Sequence, residues 1–205
     1  MKLQISFDMT DLDQALDVAS KVQDFADIFE IGSPLIYTQG VKAIESFRAK
    51  FPQKKIFADA KLVDRFNGVL KIYSQAGANC LSVLAGTSNS AIQKASQLAH
   101  SFDLEIALDL VDAYSMGESA MDAKALDIDV IIFHGPREST RLLELLEEWE
   151  SVRGNTALPI FIAGGIDRDN IDKVLALKPD GIIIGSAVVG AKDPAKEAEY
   201  FRSLL

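Results

Sequence analysis

The sequence predicts a (β/α)8 TIM barrel that forms a single domain over residues 1–205. Short apolar runs alternate with longer amphipathic stretches from one end of the chain to the other. The apolar runs start at intervals of roughly 25 residues, which is the length of one strand–helix unit in a compact barrel. Near-continuous apolar strands that alternate with helices indicate a parallel sheet covered by helices. Roughly eight such units close a barrel, whereas fewer would leave an open, doubly wound sheet.

Eight β-type apolar runs are predicted as the strands of this barrel, and the patterns between them as its helices. The runs are Leu3–Phe7, Ile28–Ile31, Lys55–Ala58, Cys80–Leu84, Ile106–Leu108, Val130–Phe133, Ile160–Ala163 and Gly181–Ile184. The helical patterns include Leu12–Phe25 after a cap at Asp11 or Thr10, Ser88–Ser101, and Ser139–Val152. Asp193 and Pro194 predict the cap and first turn of a last helix that ends at Leu205.

The composition favours a globular domain over a protein that binds nucleic acid or spans a membrane. The chain has 205 residues, of which 48% are hydrophobic, and this is enough to build the core of one globular domain. A formal net charge of -9 disfavours nucleic acid or an anionic membrane as partner, because both would repel the protein. No stretch approaches the roughly 20 apolar residues of a membrane span. We therefore expect a cytoplasmic protein, which can still bind an anionic small molecule at a local site.

Two further features exclude other classes of site. Cys80 is the single cysteine and sits in an apolar run, so we expect a buried strand residue and neither a disulfide nor a thiolate metal cluster. Gly164 and Gly165 follow a predicted strand but do not complete a G-x-G-x-x-G motif. A dinucleotide-binding fold therefore has little support.

The residues that close the predicted strands are unusually polar. In a TIM barrel the active site lies at the carboxyl ends of the strands, so these residues are candidates for chemistry. Each Asp or Gly alone has an ordinary explanation as a helix cap or a turn. Several carboxylates that converge without a cation would repel one another, and a metal and a lysine would relieve that repulsion. The candidates are Asp8, Glu30, Asp59 with Lys61 and Asp64, Asp109, His134, Gly164-Gly165 and Gly185-Ser186.

Glu30 and Asp59 are the best candidates for a metal site. Carboxylate oxygens at converging strand ends suit Mg²⁺, which prefers oxygen ligands and keeps waters that a substrate can displace. Lys61 follows Asp59 by two residues, so in an extended segment both side chains lie on the same side. Its ammonium is then expected beside a developing oxyanion, and the alternative is a structural salt bridge.

Of the two histidines, His134 is the better candidate for proton transfer. It ends a buried strand, where we favour an acid–base group over a hydrogen-bonded core histidine. His100 ends a helix, so we expect it to complement the helix dipole or to face solvent.

The last two strands end in small residues. A TIM barrel commonly binds phosphate here, through backbone N–H groups and the start of a short helix. Glycine lets the backbone approach an anion closely. We therefore predict that Gly164, Gly165, Gly185 and Ser186 bind a phosphate group.

Four segments resemble one enzyme superfamily. They are Phe29-Glu30-Ile31-Gly32-Ser33-Pro34-Leu35-Ile36, Ala58-Asp59-Ala60-Lys61-Leu62-Val63-Asp64, Ala163-Gly164-Gly165-Ile166 and residues 184–194. Together they are similar to the orotidine-monophosphate-decarboxylase superfamily, and within it to the group of 3-hexulose-6-phosphate synthases and 3-keto-L-gulonate-6-phosphate decarboxylases. The resemblance runs from Leu3 to Leu205 and implies the barrel predicted above.

The resemblance also implies roles for individual residues. It implies a homodimer with shared active sites, in which Asp64 reaches into the site of the partner subunit. Glu30 and Asp59 would hold Mg²⁺, while Lys61 and Asp8 contact the substrate. His134 matches the proton-transfer histidine of the family. Both family reactions pass through an enediolate of a pentulose phosphate, formed by decarboxylation in one and by proton abstraction before attack on formaldehyde in the other.

At the positions that differ between the synthases and the decarboxylases, this chain has some residues typical of each group. Asp109 and Ala163 resemble the synthases, where decarboxylases usually carry Glu and Thr, and the ending of the chain also resembles the synthases. Arg137 resembles the decarboxylases. The chain departs from both at Arg65-Phe66-Asn67 and at Glu138-Ser139-Thr140-Arg141. We favour the synthase reaction, an aldehyde-lyase activity, over the decarboxylase.

Two other functions stay open at this stage. An isomerase similar to ribulose-phosphate epimerases would need paired Asp bases and several His metal ligands, and only His134 is suitably placed. A catalytically silent homologue that binds sugar phosphates is compatible with the altered loops. The intact set of Asp59, Lys61 and Asp64 argues against it.

Overall fold

The chain folds as a closed barrel of eight parallel strands. The computed structural model describes residues 1–134 and 148–205. Each strand pairs with the next in chain order, and the first strand also pairs with the eighth, which closes the barrel. The predicted TIM barrel is therefore confirmed. No helix in the described residues is long and apolar enough to cross a membrane.

All eight predicted runs are strands, and β3 extends furthest beyond its predicted end. The strands are β1 Lys2–Phe7, β2 Ile28–Ile31, β3 Lys55–Leu62, β4 Cys80–Leu84, β5 Glu105–Asp109, β6 Val130–His134, β7 Ile160–Ala163 and β8 Gly181–Ile184. The apolar run of β3 ends at Ala58, but the strand continues through Asp59 to Leu62. Cys80 is buried in β4 as predicted, and burial raises the pKa of its thiol.

The helices alternate with the strands and pack on the outside of the barrel. They are α1 Leu12–Val22, α2 Ser33–Gln39, α3 Lys42–Lys50, α4 Phe66–Ala76, α5 Asn89–His100, a 3-10 turn at Leu110–Asp112, α6 Met116–Ala123, α7 at 148–155, α8 Ile171–Ala176, α9 Ser186–Val189 and α10 Pro194–Ser203. Asp11 and Asp193 cap α1 and α10 by accepting N–H groups of the first turn. The first part of the helix predicted at Ser139–Val152 lies outside the described residues.

Strand β1 shows how the barrel separates its core from its site. Leu3, Ile5 and Phe7 are fully buried in the outer core, between the sheet and the helices. The alternate residues, Gln4 and Ser6, are also buried but face the interior of the barrel. The polar interior positions at the carboxyl end therefore replace apolar packing with hydrogen bonds.

The amino-terminal end of the barrel repeats one arrangement four times. An Asp or Asn precedes each even-numbered strand and accepts the backbone N–H of a residue near the start of the preceding odd-numbered strand. The acceptors are Asp27, Asn79, Asp129 and Asp180, and the donors are Leu3, Ile56, Ile106 and Ile160. Each acceptor also binds a basic side chain: Arg202, Arg48, His100 and Arg153 respectively.

We call these four sets of contacts, around Asp27, Asn79, Asp129 and Asp180, the clamps. They hold together the end of the barrel that lies opposite the carboxyl ends of the strands. His100 belongs to one of them, because its Nε2 lies 2.9 Å from Asp129 Oδ2. As predicted, His100 lies in the last turn of α5 and its side chain is exposed, and the contact with Asp129 adds a partner that the sequence did not indicate. At this end of a TIM barrel such contacts serve stability, whereas the opposite end serves catalysis.

Candidate active site

A cleft of about 570 Å³ opens at the carboxyl ends of the strands. This volume is within the range of small-molecule sites. The cleft brings together most of the residues predicted from the sequence. They are Asp8, Glu30, Asp59, Lys61, His134, Ala163, Gly164, Gly165, Gly185 and Ser186. Asp109 is fully buried and reaches the same cluster through Lys61 and His134.

Glu30 is a carboxylate buried in the barrel interior. Gln4 Nε2 donates to its Oε2 at 2.5 Å, and Ser6 Oγ donates to its Oε1 at 2.9 Å. Burial, together with the charge of Asp59, raises the pKa of Glu30 from about 4.5 to about 8, although the two hydrogen bonds oppose the rise. A cation bound near Glu30 would therefore stabilise its negatively charged form.

Asp59 lies beside Glu30 and is held by two hydroxyl groups. Ser33 Oγ lies 2.8 Å from Asp59 Oδ2, and Ser82 Oγ donates to Asp59 Oδ1 at 2.9 Å. Lys61 Nζ lies 3.0 Å from the same Oδ1. These contacts fix the carboxylate in one orientation at the bottom of the cleft.

Lys61 reaches the cluster by a route that strand alternation did not predict. Four residue steps on β3, from Ala58 to Leu62, face two steps on β4, from Leu81 to Val83, so the strand bulges. Lys61 has a φ of 46°, in the left-handed region. The expectation of a regular extended segment was therefore wrong, although the ammonium does lie beside Asp59.

Asp109 joins the lysine to the histidine. Its Oδ2 accepts from Lys61 Nζ at 2.5 Å and lies 3.2 Å from His134 Nδ1, while its Oδ1 accepts from Val111 N at 2.9 Å. Burial alone would raise the pKa of Asp109, but the hydrogen bond and charge of His134, with those of Lys61, hold it below its usual value. Asp109 is therefore an anion at neutral pH.

The same contacts fix the charge state of Lys61. Burial lowers the pKa of an ammonium, but Asp59 and Asp109 outweigh burial and hold the pKa of Lys61 above its ordinary value. Lys61 therefore stays protonated at neutral pH. It can donate hydrogen bonds and stabilise negative charge, but it cannot accept a proton.

His134 is oriented by its contact with Asp109. A carboxylate can only accept a hydrogen bond, so the Nδ1 that faces it carries the hydrogen. In the neutral ring Nε2 is then left as a proton acceptor. A carboxylate that fixes one ring nitrogen in this way is a common means of preparing histidine for proton transfer.

Asp8 fills a space that only glycine leaves open. A Cβ atom on Gly32 would overlap Asp8 Oδ1, and a Cβ atom on Gly185 would lie 2.9 Å from Asp8 Oδ2. The charge of Asp8 also adds to the rise in the pKa of Glu30. Gly32 and Gly185 therefore allow a third carboxylate to lie at the edge of the cleft.

The loops after β7 and β8 lie together on one wall of the cleft. Gly164 and Gly165 have φ values of 101° and 63°, which other residues rarely adopt. Gly185 and Ser186 start the short helix α9. This wall presents backbone rather than side chains to the cleft.

Among the predicted site residues that the structure describes, Asp64 lies outside the cleft and its cluster. The side chain of Asp64 is 79% exposed and lies beyond the end of β3. Arg137 lies outside the described residues.

The hydroxyl and amide groups that hold the carboxylates were not among the predicted site residues. Gln4, Ser6, Ser33 and Ser82 each donate a hydrogen bond to Glu30 or Asp59. A signal was present for three of them, because Gln4, Ser6 and Ser82 are single polar residues between apolar neighbours in strands. Tyr37 and Val111 also line the cleft and carried no such signal.

The donor set of the cleft fits a hard divalent cation. Within residues 1–134 and 148–205, no group of three or more His, Cys, Asp or Glu side chains is arranged to hold a metal. Glu30 and Asp59 supply two carboxylates, and Mg²⁺ is commonly held by one or two carboxylates while waters and substrate oxygens complete its shell. The repulsion that raises the pKa of Glu30 is what a bound cation would remove.

Relatives of known identity share the full length of the chain. The 3-hexulose-6-phosphate synthase of Bacillus subtilis is 28% identical over 207 residues, which cover 100% of this chain and 99% of that protein. The crystal structure of 3-hexulose-6-phosphate synthase from Salmonella typhimurium is 28% identical, with a TM-score of 0.90 over 100% of this chain and 98% of that one. The crystal structure of 3-keto-L-gulonate-6-phosphate decarboxylase from Vibrio cholerae is 25% identical, with a TM-score of 0.85 over 98% and 95%.

These comparisons confirm the resemblance drawn from the sequence motifs. The relatives include both a synthase and a decarboxylase, the two activities between which the sequence positions were mixed. The model of one family matches residues 1–201. The chain therefore belongs to the orotidine 5'-phosphate decarboxylase / HUMPS family.

Proposed function

We propose that this chain is a carbon–carbon lyase with the activity of a 3-hexulose-6-phosphate synthase, which joins formaldehyde to a pentulose 5-phosphate. The observation that carries the proposal is the contact of Asp109 with both Lys61 and His134. Through this contact the protonated Lys61 and the Nε2 proton acceptor of His134 lie in the same cleft. The loops after β7 and β8 line the same cleft. The full-length similarity to synthases supports the same reading.

The phosphate group binds at the wall formed by Gly164, Gly165, Gly185 and Ser186. Small residues at this wall let an anion approach the backbone N–H groups closely. Binding at this wall directs the carbonyl end of the sugar toward His134 and Lys61. The anion site at this wall therefore favours a phosphorylated sugar over a free one.

His134 removes the proton from the carbon next to the carbonyl group. The electron pair of the broken C–H bond forms an enediolate, and Nε2 of His134 takes the proton while Nδ1 stays hydrogen-bonded to Asp109. The enediolate carbon then forms a bond to the carbon of formaldehyde. The protonated ring of His134 is the acid that neutralises the new alkoxide.

Lys61 stabilises the negative charge that develops on the enediolate oxygen. Its ammonium is fixed by Asp59 and Asp109, so it needs little reorganisation when the charge appears. Asp8 contacts the hydroxyl groups of the sugar from the opposite side. Glu30 and Asp59 would hold Mg²⁺, which when bound would polarise the carbonyl group as a Lewis acid.

The synthase reaction is favoured by the residues around His134. Asp109 is one methylene shorter than Glu, and Ala163, which pairs with His134 in the sheet, lacks a hydroxyl group. Both leave space near the reacting carbon for formaldehyde. A second candidate is the 3-keto-L-gulonate-6-phosphate decarboxylase reaction, which Arg137 favours because a guanidinium can order the water that protonates the enediolate.

We expect the purified protein to condense formaldehyde with a pentulose 5-phosphate in the presence of Mg²⁺. Steady-state rates of this reaction and of keto-gulonate phosphate decarboxylation are measured on the same preparation. The proposal requires the higher kcat/KM for condensation. A clear preference for decarboxylation would identify the chain as a 3-keto-L-gulonate-6-phosphate decarboxylase. Binding of the sugar phosphates without turnover of either would indicate a homologue without catalytic activity.

The phosphate wall is tested by Gly165→Ala. The methyl group blocks the approach of the anion, so we expect KM for the sugar phosphate to rise by about tenfold or more while kcat changes little. Gly40→Ala is a matched control, because Gly40 has a φ of 60° against 63° for Gly165 and a Cβ atom there meets nothing within 4 Å. Equal KM values in the two variants would contradict a phosphate site at Gly165.

We also propose that the enzyme is a homodimer whose subunits share their active sites. Asp64 is exposed and does not line the cleft of its own chain, and a second subunit would receive it. Mixed dimers of Asp64→Asn and Lys61→Ala chains contain one intact site, so we expect recovery of about a quarter of the wild-type activity in a random mixture. The absence of recovery after proven subunit exchange would refute the shared site.

A further inference from the structure

The ladder between β3 and β4 is broken beside the candidate active site. Asp59, Ala60 and Lys61 are the residues that the register of β3 leaves without a Cα partner on β4, and we call them the β3 bulge. Residue Ser82 of β4 lies between the two partners that are paired, Leu81 and Val83. Ser82 therefore faces the break in the ladder.

The hydroxyl group of Ser82 fills the place of the missing backbone contacts. Its Oγ accepts the backbone N–H of Lys61 at 2.8 Å and donates its own hydrogen to Asp59 Oδ1 at 2.9 Å. Ser82 is fully buried and does not line the cleft. It therefore touches both ends of the β3 bulge without being available to a substrate.

The two contacts matter because the conformation of the β3 bulge is unfavourable by itself. Lys61 has a left-handed backbone, which is unfavourable for a residue with a side chain unless neighbouring contacts hold it. Strand alternation alone would not bring the Lys61 ammonium to both Asp59 and Asp109. The bulge does so, and Ser82 provides the acceptor for its otherwise unpaired N–H group.

We propose that Ser82 is a positioning residue, which sets the places of Lys61 and Asp59 by holding the β3 bulge. The proposal deepens the proposed function, since it concerns two residues that carry out that chemistry. A hydroxyl group is required because the position must accept one hydrogen bond and donate another. Serine and threonine meet this requirement, whereas alanine and valine do not.

Ser82→Ala is expected to lower kcat by about 10- to 100-fold, because displacement of a catalytic group by a fraction of an ångström reduces the rate strongly. KM for the sugar phosphate is expected to stay within about twofold, since the phosphate wall belongs to β7 and β8. Ser82→Thr keeps the hydroxyl group on a side chain suited to a strand. It is expected to retain most of the wild-type kcat.

Two serines provide matched controls. Ser96 in α5 is also fully buried, and its hydroxyl donates only to the carbonyl of Ile92. Ser96→Ala thus removes a buried hydroxyl without touching the site, and it is expected to leave kcat unchanged. Ser33→Ala removes the other hydroxyl from Asp59 but leaves the N–H of Lys61 bonded.

Amide hydrogen exchange at Lys61 tests the position without any substrate. In Ser82→Ala the Lys61 N–H loses its acceptor, so we expect it to exchange at least about tenfold faster, while Ser33→Ala and Ser96→Ala leave its rate unchanged. Absence of lyase activity in the wild-type protein would reject the proposed function, yet this exchange measurement would still decide whether Ser82 holds the bulge.

Three results would overturn the proposal. The first is an unchanged exchange rate of Lys61 in Ser82→Ala. The second is a kcat of Ser82→Ala equal to that of Ser96→Ala despite faster exchange. The third is an alanine-like kcat in Ser82→Thr while the Lys61 amide stays protected, because the hydroxyl would then not be the group that matters.

Discussion

Replacement of Lys61 by alanine is expected to lower kcat/KM by about 10³-fold or more. Loss of one preorganised donor to a developing oxyanion costs about 10²- to 10³-fold by itself. Here the same ammonium also separates Asp59 from Asp109, with contacts of 3.0 and 2.5 Å. Its loss therefore raises the pKa of Asp109 and disturbs the orientation of His134 through Asp109.

The lost activity must be separated from lost stability, because removal of one partner of a buried ion pair destabilises a fold by about 3 kcal/mol or more. Lys61→Ala combined with Asp109→Asn removes the unpaired charge, so stability is expected to recover while activity does not. Lys55→Ala is the matched control, since Lys55 starts the same strand and pairs with Glu105 at the opposite end of the barrel. A Lys61→Ala variant that keeps kcat/KM within tenfold would leave Lys61 with a structural role only.

The fold was predictable because its signal is local and repeated. Each strand is buried on both faces, so its apolar run is nearly continuous and its ends are easy to place. The exception is β3, whose last residues include Asp59 and Lys61. Because both residues are charged, the apolar run ends at Ala58. The strand still continues, because Lys61 donates a hydrogen bond to Asp109 and Asp59 accepts one from Ser82.

The site was predictable where the side chain itself carries the chemistry. Glu30, Asp59, Lys61 and His134 stand out because charged residues at the ends of buried strands need an explanation. Ser82 gives a weaker signal, because a single serine between apolar neighbours in a strand does not indicate what its hydroxyl group contacts. Only the register of β3 against β4 places its hydroxyl opposite the bulge.

The clamps at the other end of the barrel also depend on contacts between distant segments. Arg202 binds Asp27 across nearly the whole length of the chain. His100 meets Asp129 only after β6 has paired with β5. Local patterns could not distinguish these residues from solvent-exposed charges, so the contact between His100 and Asp129 was not predicted.

Glu30→Gln is expected to abolish catalysis and to stabilise the metal-free protein at alkaline pH. The pKa of Glu30 in the folded state is raised to about 8, so between about pH 4.5 and pH 8 the folded chain holds a proton that the unfolded chain has released. The free energy of unfolding therefore falls as the pH rises through this window. Glutamine carries no charge at any pH, so this part of the pH dependence disappears in the variant.

Calorimetry in the presence of a chelator and of Mg²⁺ measures this effect. The wild-type protein in chelator is expected to lose roughly 5–10 °C in Tm between about pH 5 and pH 8, relative to Glu30→Gln. Mg²⁺ at about pH 8 restores the wild-type Tm, because a cation beside Glu30 and Asp59 removes the repulsion, and it has little effect on Glu30→Gln. Glu105→Gln, which removes a half-exposed carboxylate at the opposite end of the barrel, controls for the general effect of charge. If Mg²⁺ stabilises Glu30→Gln and the wild-type protein equally, Glu30 is not a metal ligand, and its buried charge needs another partner.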